Sequence, residues 1–398
     1  METTMQECYL IDAVRTARGR RSNPKKGMVG ELADIHPTTL GAMLVNAIIE
    51  RNPNLPPEKI EDLIYATTIA VKEQAANIAR WVVLASNLPC SVSGVHINRY
   101  CSGSLQASAF ANASIKVGDY DVALAGGGEH MNRVTLGSDR DDPDRLPITP
   151  EIRKKYNIVP QGVSAEIIAV KYGISQEEIN EFSVRSQQKA HAATEAGKFK
   201  NEIIPIPYID PDGNERILDR DTHIKADTTV EKINSLPRPF KENGVIHAAA
   251  SSGICDGASM ALWVSEDVSK AYNLKPRARI LSNANWGVNP EEMLDGVIPG
   301  TRLALKRAGL TLDRIDRFEI NEAFASVPLA WMKTLHVYEK KVNVNGGAIA
   351  MGHPLGSTGG ILLATLLNEL ERENLRYGLI TLCAAQGLSG TMIIENLS

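Results

Sequence analysis

No stretch of this 398-residue chain reaches the roughly 18 to 20 consecutive apolar residues that a membrane-spanning helix needs, because charges or glycines interrupt every hydrophobic run. The chain is therefore expected to be soluble, without a membrane span. A basic excess is missing too: 43 Lys and Arg stand against 47 Asp and Glu, a formal net charge of -4, which argues against nucleic acid as a partner. Cysteine is sparse and scattered. Cys8, Cys90, Cys101, Cys255 and Cys383 form no CxxC pair and are odd in number, which argues against a disulfide framework or a metal site and suits a reducing compartment. The segment Met1 to Arg15 lacks the basic start and long apolar stretch of a secretory leader, so the expected location is cytoplasmic.

What is present is a globular composition, 43% hydrophobic and 23% charged, long enough for roughly two to three domains' worth of core. Two parts of it look alike. Leu40 to Ile49 has helical apolar spacing and leads through Pro56-Pro57 to a strand candidate ending at Tyr65. Thr301 to Ala308 leads in the same way through Leu312-Asp313-Arg314 to a strand ending at Ile320, and Ile315 follows Ile60 by 255 residues. A second pair, around Tyr120 and Tyr377, keeps an offset of 257. Two matched segments in one order suggest a duplicated α/β domain. Between them, from about Met131 to Ala250, the chain turns more polar, and Ser175-Gln176-Glu177-Glu178 has the pattern of a helix capping box. This stretch reads as an inserted layer, either the cover of an active site or a solvated decoration.

Four segments could carry chemistry. Val95 and Ile97 lead into Tyr100-Cys101-Ser102-Gly103 and then a helical stretch to Ile115. A thiol at such a strand-turn-helix junction faces backbone N–H groups and the positive end of a helix, although a lone cysteine is most often a buried small hydrophobe. The block Gly346-Gly347-Ala348-Ile349-Ala350-Met351-Gly352-His353-Pro354-Leu355-Gly356-Ser357-Thr358-Gly359 holds five glycines around one histidine. It lacks the Gly-Lys-Ser/Thr of a phosphate loop, and no acid follows as in a dinucleotide site, so His353 reads better as a base. Asn321 and Glu322 end the second-half strand, at the sheet edge where α/β ligands bind, or else cap the next helix. Cys383 ends the repeated strand Leu379 to Leu382 and by itself reads as buried.

Together these segments resemble the thiolases, which cleave or form a carbon-carbon bond next to a CoA thioester. The likeness runs from Ala13-Val14-Arg15-Thr16 through Ser186-Gln187-Gln188-Lys189-Ala190 and Ser252-Gly253-Ile254-Cys255-Asp256-Gly257-Ala258. It continues in Asn321-Glu322-Ala323-Phe324 and the Gly-His-Pro block. The resemblance implies an αβαβα five-layer fold: an N-terminal half of residues 1–124 plus 251–275, an inserted covering loop domain of residues 125–250, and a C-terminal half of residues 276–398.

It also implies roles: Cys101 as nucleophile, His353 as its base, Cys383 as second acid/base and Asn321 as holder of a water, with the backbone N–H groups of Cys101 and Ala385 as oxyanion donors. CoA contacts would map onto Ser252, Ala248, Phe240, Phe324 and Lys225. No cofactor is implied, since CoA and acyl-CoA are substrates. The implied activity is thiolysis of a 3-ketoacyl-CoA to acetyl-CoA and a shortened acyl-CoA, as in fatty acid β-oxidation, by a homodimer or homotetramer.

Two departures bear on this. Family members usually carry glycine where Ala385 stands, so a differently shaped oxyanion hole is expected. Pro160-Gln161-Gly162 replaces the His-Met-Gly of short-chain biosynthetic members, which favours a longer or bulkier substrate over acetoacetyl-CoA synthesis. A silent subunit of a complex remains a further reading, and a decarboxylating ketoacyl synthase would carry histidine in place of Asn321.

Overall fold

Alternating strands and helices account for both ends of the chain in the computed structural model, which describes residues 5–142 and 146–398. The first four residues of the segment scanned for a leader lie outside them. Strand β1 (Cys8–Thr16) is followed by α1 (Pro37–Arg51), β2 (Asp62–Ala66), α2 (Ile78–Ala85), β3 (Ser93–Ile97), α3 (Gly103–Val117) and β4 (Val122–His130). Helices α4 (Gln161–Lys171) and α5 (Gln176–Glu195) belong to the intervening segment, after which β5 (Cys255–Ser265) pairs antiparallel with both β1 and β4. The rest reads β6 (Ala278–Gly287), α6 (Val297–Ala308), β7 (Arg317–Ile320), α7 (Ser326–Leu335), α8 (Thr358–Arg372), β8 (Tyr377–Ala384) and β9 (Leu388–Asn396).

The strand order β7-β8-β9-β6-β1-β5-β4-β2-β3 makes the duplication explicit. Outward from the middle, β6, β9, β8 and β7 answer β1, β5, β4 and β2. The counterpart of β3 has shrunk to one bridge between Phe318 and Val342. The two strand sets meet antiparallel at Leu10 and Ala278.

Burial patterns explain the layers. Helix α1 turns Leu40, Leu44, Val45 and Ile48 inward, a stripe at helical spacing, and packs with α2 on the outer face of the first strand set. Helices α6 and α7 cover the outer face of the second, joined by Ile168 of α4 and Ile179 and Phe182 of α5. Between the sets lie α3 and α8, whose core holds Leu105, Trp263, Leu363 and Ile380. Every residue of α8 from Thr358 to Leu370 is buried, as a helix covered on all sides requires. The result is the five-layer αβαβα arrangement. No helix among the described residues is long and apolar enough to cross a membrane.

Local signals also hold. Ser175 Oγ accepts the Glu178 N–H at 3.1 Å while Glu178 Oε2 accepts the Ser175 N–H at 2.7 Å, the reciprocal capping box.

The two central helices touch through glycine. A methyl group added at Gly359 would stand 2.5 Å from the backbone nitrogen of Leu105 on α3. Gly359→Ala must therefore push α3 and α8 apart, at a cost of about 1 to 3 kcal/mol. Chemical denaturation should show the loss, and an unchanged midpoint would mean that the helices yield freely.

Candidate active site

The carboxyl ends of four strands supply the site. After β3 the chain makes a tight turn at Tyr100–Ser102 before α3 begins. Tyr100 holds a left-handed φ of 49°, a conformation that costs a non-glycine residue on the order of 1–3 kcal/mol. Asn98 holds it there: its Oδ1 accepts the Tyr100 N–H at 2.9 Å and its Nδ2 donates to the Thr68 carbonyl at 2.9 Å. The turn delivers Cys101 to the start of α3, the positive end of the helix. The backbone N–H groups of Cys101 and Ala385 face its sulfur.

Ala385 follows β8, which carries Cys383, and the sulfur of Cys101 acts electrostatically on that second thiol. Ala385 itself takes no left-handed backbone angle. The left-handed angles fall on Gln386 (φ 63°) and Gly387 (φ 81°), so Ala385 presents its N–H without needing glycine's freedom.

His353 stands in a loop whose last turn, Leu355–Ser357, packs against the Cys101 turn. Its Nδ1 is 2.7 Å from Thr358 Oγ1 and its Nε2 is 3.3 Å from Asn321 Nδ2. An amide nitrogen can only donate, so Nε2 accepts, the ring proton sits on Nδ1, and Thr358 receives it. The Oδ1 of Asn321 is buried with no protein partner, an acceptor that calls for a small polar guest.

All four side chains are nearly sealed: Cys101 and His353 are 3% exposed, Cys383 and Asn321 1%. Burial, then the charge of Glu129, pushes the Cys101 thiol up to about 12. Burial, then Arg18, pushes His353 down to about 3. Burial, then the Cys101 sulfur, raises Cys383 well above the ordinary thiol range. The resting site is thus two thiols and one neutral imidazole.

A second set of residues braces this centre. Asn343 spans the end of β7, its Oδ1 accepting the Ile320 N–H at 2.8 Å and its Nδ2 donating to the Ile320 carbonyl at 2.9 Å and Glu322 Oε1 at 2.8 Å. Glu322 Oε2 accepts from Ser186 Oγ at 2.6 Å and the Ile349 N–H at 3.2 Å. Glu322 is therefore a brace between α5 and the glycine-rich loop. The cap reading of Asn321 and Glu322 is not met, because α7 starts only at Ser326, after Ala325. Glu129, at the end of β4, accepts the N–H groups of Thr68 at 2.8 Å and Gly356 at 3.0 Å. It ties the loop after β2 to the histidine loop.

Of the proposed CoA contacts, Phe240 and Phe324 meet edge to face at 5.9 Å. Ser251 bridges Phe324, and the Ser252 N–H donates to the Ala323 carbonyl at 3.0 Å. Ala248 opens the short helical turn Ala248–Ala250, whose last carbonyl accepts the Ala325 N–H at 2.9 Å. These four gather around the Ala323–Ala325 segment that follows Asn321. Lys225 is exposed and reaches the site region through Gln187, which accepts its N–H at 2.8 Å and donates to the Ile349 carbonyl at 3.3 Å.

Thr358, Asn343, Glu129 and Arg18 were not singled out from sequence. Thr358 lies inside the histidine block and Asn343 three residues before it, and both could have been. Glu129 and Arg18 acquire meaning through distant contacts, to Gly356 and to Asp221, each more than 200 residues away.

Comparison with known proteins agrees with the geometry. Residues 8–267 match the family Thiolase, N-terminal domain, and residues 274–396 match Thiolase, C-terminal domain. A 3-ketoacyl-CoA thiolase of Serratia proteamaculans is 41% identical over 99% of this chain and 100% of its own. A steroid 3-ketoacyl-CoA thiolase of Mycobacterium tuberculosis is 40% identical over 99% of this chain and 95% of its own. Human mitochondrial 3-ketoacyl-CoA thiolase superposes with a TM-score of 0.89 at 32% identity, covering 99% of this chain and 100% of that one. The acetyl-CoA acetyltransferase of Bacillus anthracis gives the same score and identity over the whole of both chains. With both of its halves matched, and with full-length relatives near 40% identity, the chain belongs to the thiolase family.

Proposed function

We propose that this chain is an acetyl-CoA C-acyltransferase that cleaves 3-ketoacyl-CoA with CoA, through an acyl-cysteine intermediate. The observation that carries it is a neutral imidazole whose Nε2 is an acceptor, in a loop packed on the turn of Cys101, whose sulfur acts on the second free thiol, Cys383. His353 takes the Cys101 proton as the sulfur attacks the 3-keto carbon. The negative charge that develops on that oxygen is met by the N–H groups of Cys101 and Ala385, donors worth on the order of a hundredfold or more each. The bond between C2 and C3 breaks, the acyl group stays on Cys101, and acetyl-CoA leaves as its enolate. Its oxygen is held by protonated His353 and by a water on Asn321, and its carbon takes the Cys383 proton. Cys383, now a thiolate, deprotonates incoming CoA. CoA sulfur displaces the acyl group, Cys101 leaves as thiolate and recovers its proton from His353, and both thiols end as they began.

The wall of Ser252, Ala248, Phe240 and Phe324 would hold the pantetheine arm, with Lys225 at the nucleotide end. No cofactor is needed for this cycle. The division into residues 1–124 plus 251–275, 125–250 and 276–398 is part of the same reading. Names of the relatives support 3-ketoacyl-CoA as substrate, and that of the steroid thiolase supports a bulkier one. The resemblance to an acetyltransferase supports acetoacetyl-CoA chemistry as the second reading. Against a silent subunit stands Ala385, whose N–H still faces the Cys101 sulfur.

A homodimer is proposed through β3, which pairs with β2 on one side only. Its Val95, with Trp81 and Leu84 of the adjoining α2, is exposed. Light scattering decides between two and four subunits. Five free thiols suit the proposed cytoplasmic setting, which cell fractionation checks.

Mixing the protein with a panel of 3-ketoacyl-CoAs should produce an intact-mass increase of one acyl group on Cys101, removed by free CoA. If no member of the panel leaves an adduct, the silent-subunit reading replaces this one.

A further inference from the structure

The turn that presents Ala385 is strained. Gln386 holds a left-handed φ of 63°, a conformation that lasts in a residue other than glycine only where its neighbours over-determine it. The neighbour here is loop 288–296, which joins β6 to α6 and grips the turn with both of its own ends. At the front, the Val288 N–H donates to the Gly387 carbonyl at 2.7 Å. At the rear, the Gly296 carbonyl accepts from Ser389 Oγ at 2.9 Å. Ser389 lies opposite Cys383 in the sheet, and its successor Gly390 touches the nucleophile's turn: a methyl group there would stand 2.9 Å from Ser102 Cβ. The seat of residues 387–390 thus sets how closely the Ala385 turn meets that of Cys101.

The loop needs an anchor of its own, because Met293 within it is buried at a left-handed φ of 31°. That anchor is Asp295, the residue before Gly296. Asp295 is 6% exposed, and its Oδ2 accepts from Lys171 Nζ at 2.8 Å and from Tyr172 Oη at 2.9 Å. Lys171 ends α4 and Tyr172 follows it, so the clasp ties the intervening segment to the loop. The same ammonium reaches Glu292 Oε2 at 2.7 Å, and Asn157 Nδ2 donates to Glu291 Oε1 at 2.8 Å.

We propose that Asp295 is a positioning residue: clasped by Lys171 and Tyr172, it fixes loop 288–296 and through it the Ala385 N–H beside Cys101. The inference rests on the acyl-cysteine reading above.

The energetics favour a role in rate over one in overall stability. The Lys171 side chain is 37% exposed, and an ion pair with one partner in solvent adds little to the stability of a fold. Two charge-assisted bonds to one oxygen fix a direction instead. An oxyanion donor acts best when its N–H is in place before the charge develops, since no reorganisation then opposes the reaction. With Asp295 released, the strain at Gln386 is free to draw the Ala385 N–H out of line.

Rapid-quench measurement of Cys101 acylation by a 3-ketoacyl-CoA, read by intact mass on the full-length protein, tests this. Asp295→Asn keeps the shape and removes the charge. It is expected to lower the saturating acylation rate about tenfold, less than the hundredfold of a donor lost outright. The half-saturating substrate concentration should stay within about twofold, the mark of an interaction that matters in the transition state rather than in binding. Lys171→Met should slow acylation in the same sense, and Lys171→Arg should restore it. Lys171→Met combined with Asp295→Asn should lose no more than Asp295→Asn alone, because both act through one carboxylate.

An unchanged rate in Asp295→Asn overturns the proposal, as does a raised half-saturating concentration at unchanged rate. Losses that add in the double variant overturn it too, and so does a fall that only matches the loss of folded protein by circular dichroism. If Asp295→Asn does not fold, Lys171→Met and Tyr172→Phe decide by the same rate and half-saturation readings. A wild-type protein that forms no adduct refutes the function instead, so the two failures are distinct.

Discussion

Cys101→Ala is expected to form no acyl adduct and to lose thiolysis by a factor on the order of 10³ or more, because the covalent path then has no atom to carry the acyl group. The fold should survive, since cysteine and alanine are both small and the Tyr100 turn is held by Asn98 rather than by the sulfur. The variant should still bind substrate with near wild-type affinity. Binding and chemistry separate in the assay, the first read by calorimetry and the second by release of acetyl-CoA. Substantial turnover in this variant would move the nucleophile elsewhere.

Cys383→Ala should divide the reaction. Acylation of Cys101 by a simple activated thioester, which needs no enolate, is expected to proceed. Cleavage of a 3-ketoacyl-CoA should fall on the order of 10²–10⁴-fold, the usual worth of a positioned acid or base. The Cys383 side chain sits inside β8, opposite Ser389 of β9, so a stability loss of about 1 kcal/mol is expected in addition. Equal loss of both activities would assign Cys383 to packing alone.

The parts of the molecule legible in the sequence are those written locally. The repeat showed itself because a helix, a tight turn and a short strand occupy consecutive residues in each half. The capping box of α5 lies within four residues, and Cys101 stood out because strand, turn and helix follow one another around it. What escaped depends on distant partners. Glu129 looks like any acid after a glycine run until Gly356, 227 residues on, is seen to donate to it. Arg18 reads as a surface charge until Asp221 folds over it. The counterpart of β3 was hidden for another reason: one bridge leaves no alternating pattern to find.

The duplicated architecture distributes the chemistry unevenly. Cys101 comes from the leading copy, whereas Asn321, His353 and Cys383 come from the trailing one, and the strand sets meet at Leu10 and Ala278. A chain still emerging from the ribosome, with only its first copy folded, owns a thiol and no base to wake it. Stalled nascent chains ending before residue 321 should therefore stay unlabelled by acyl donors.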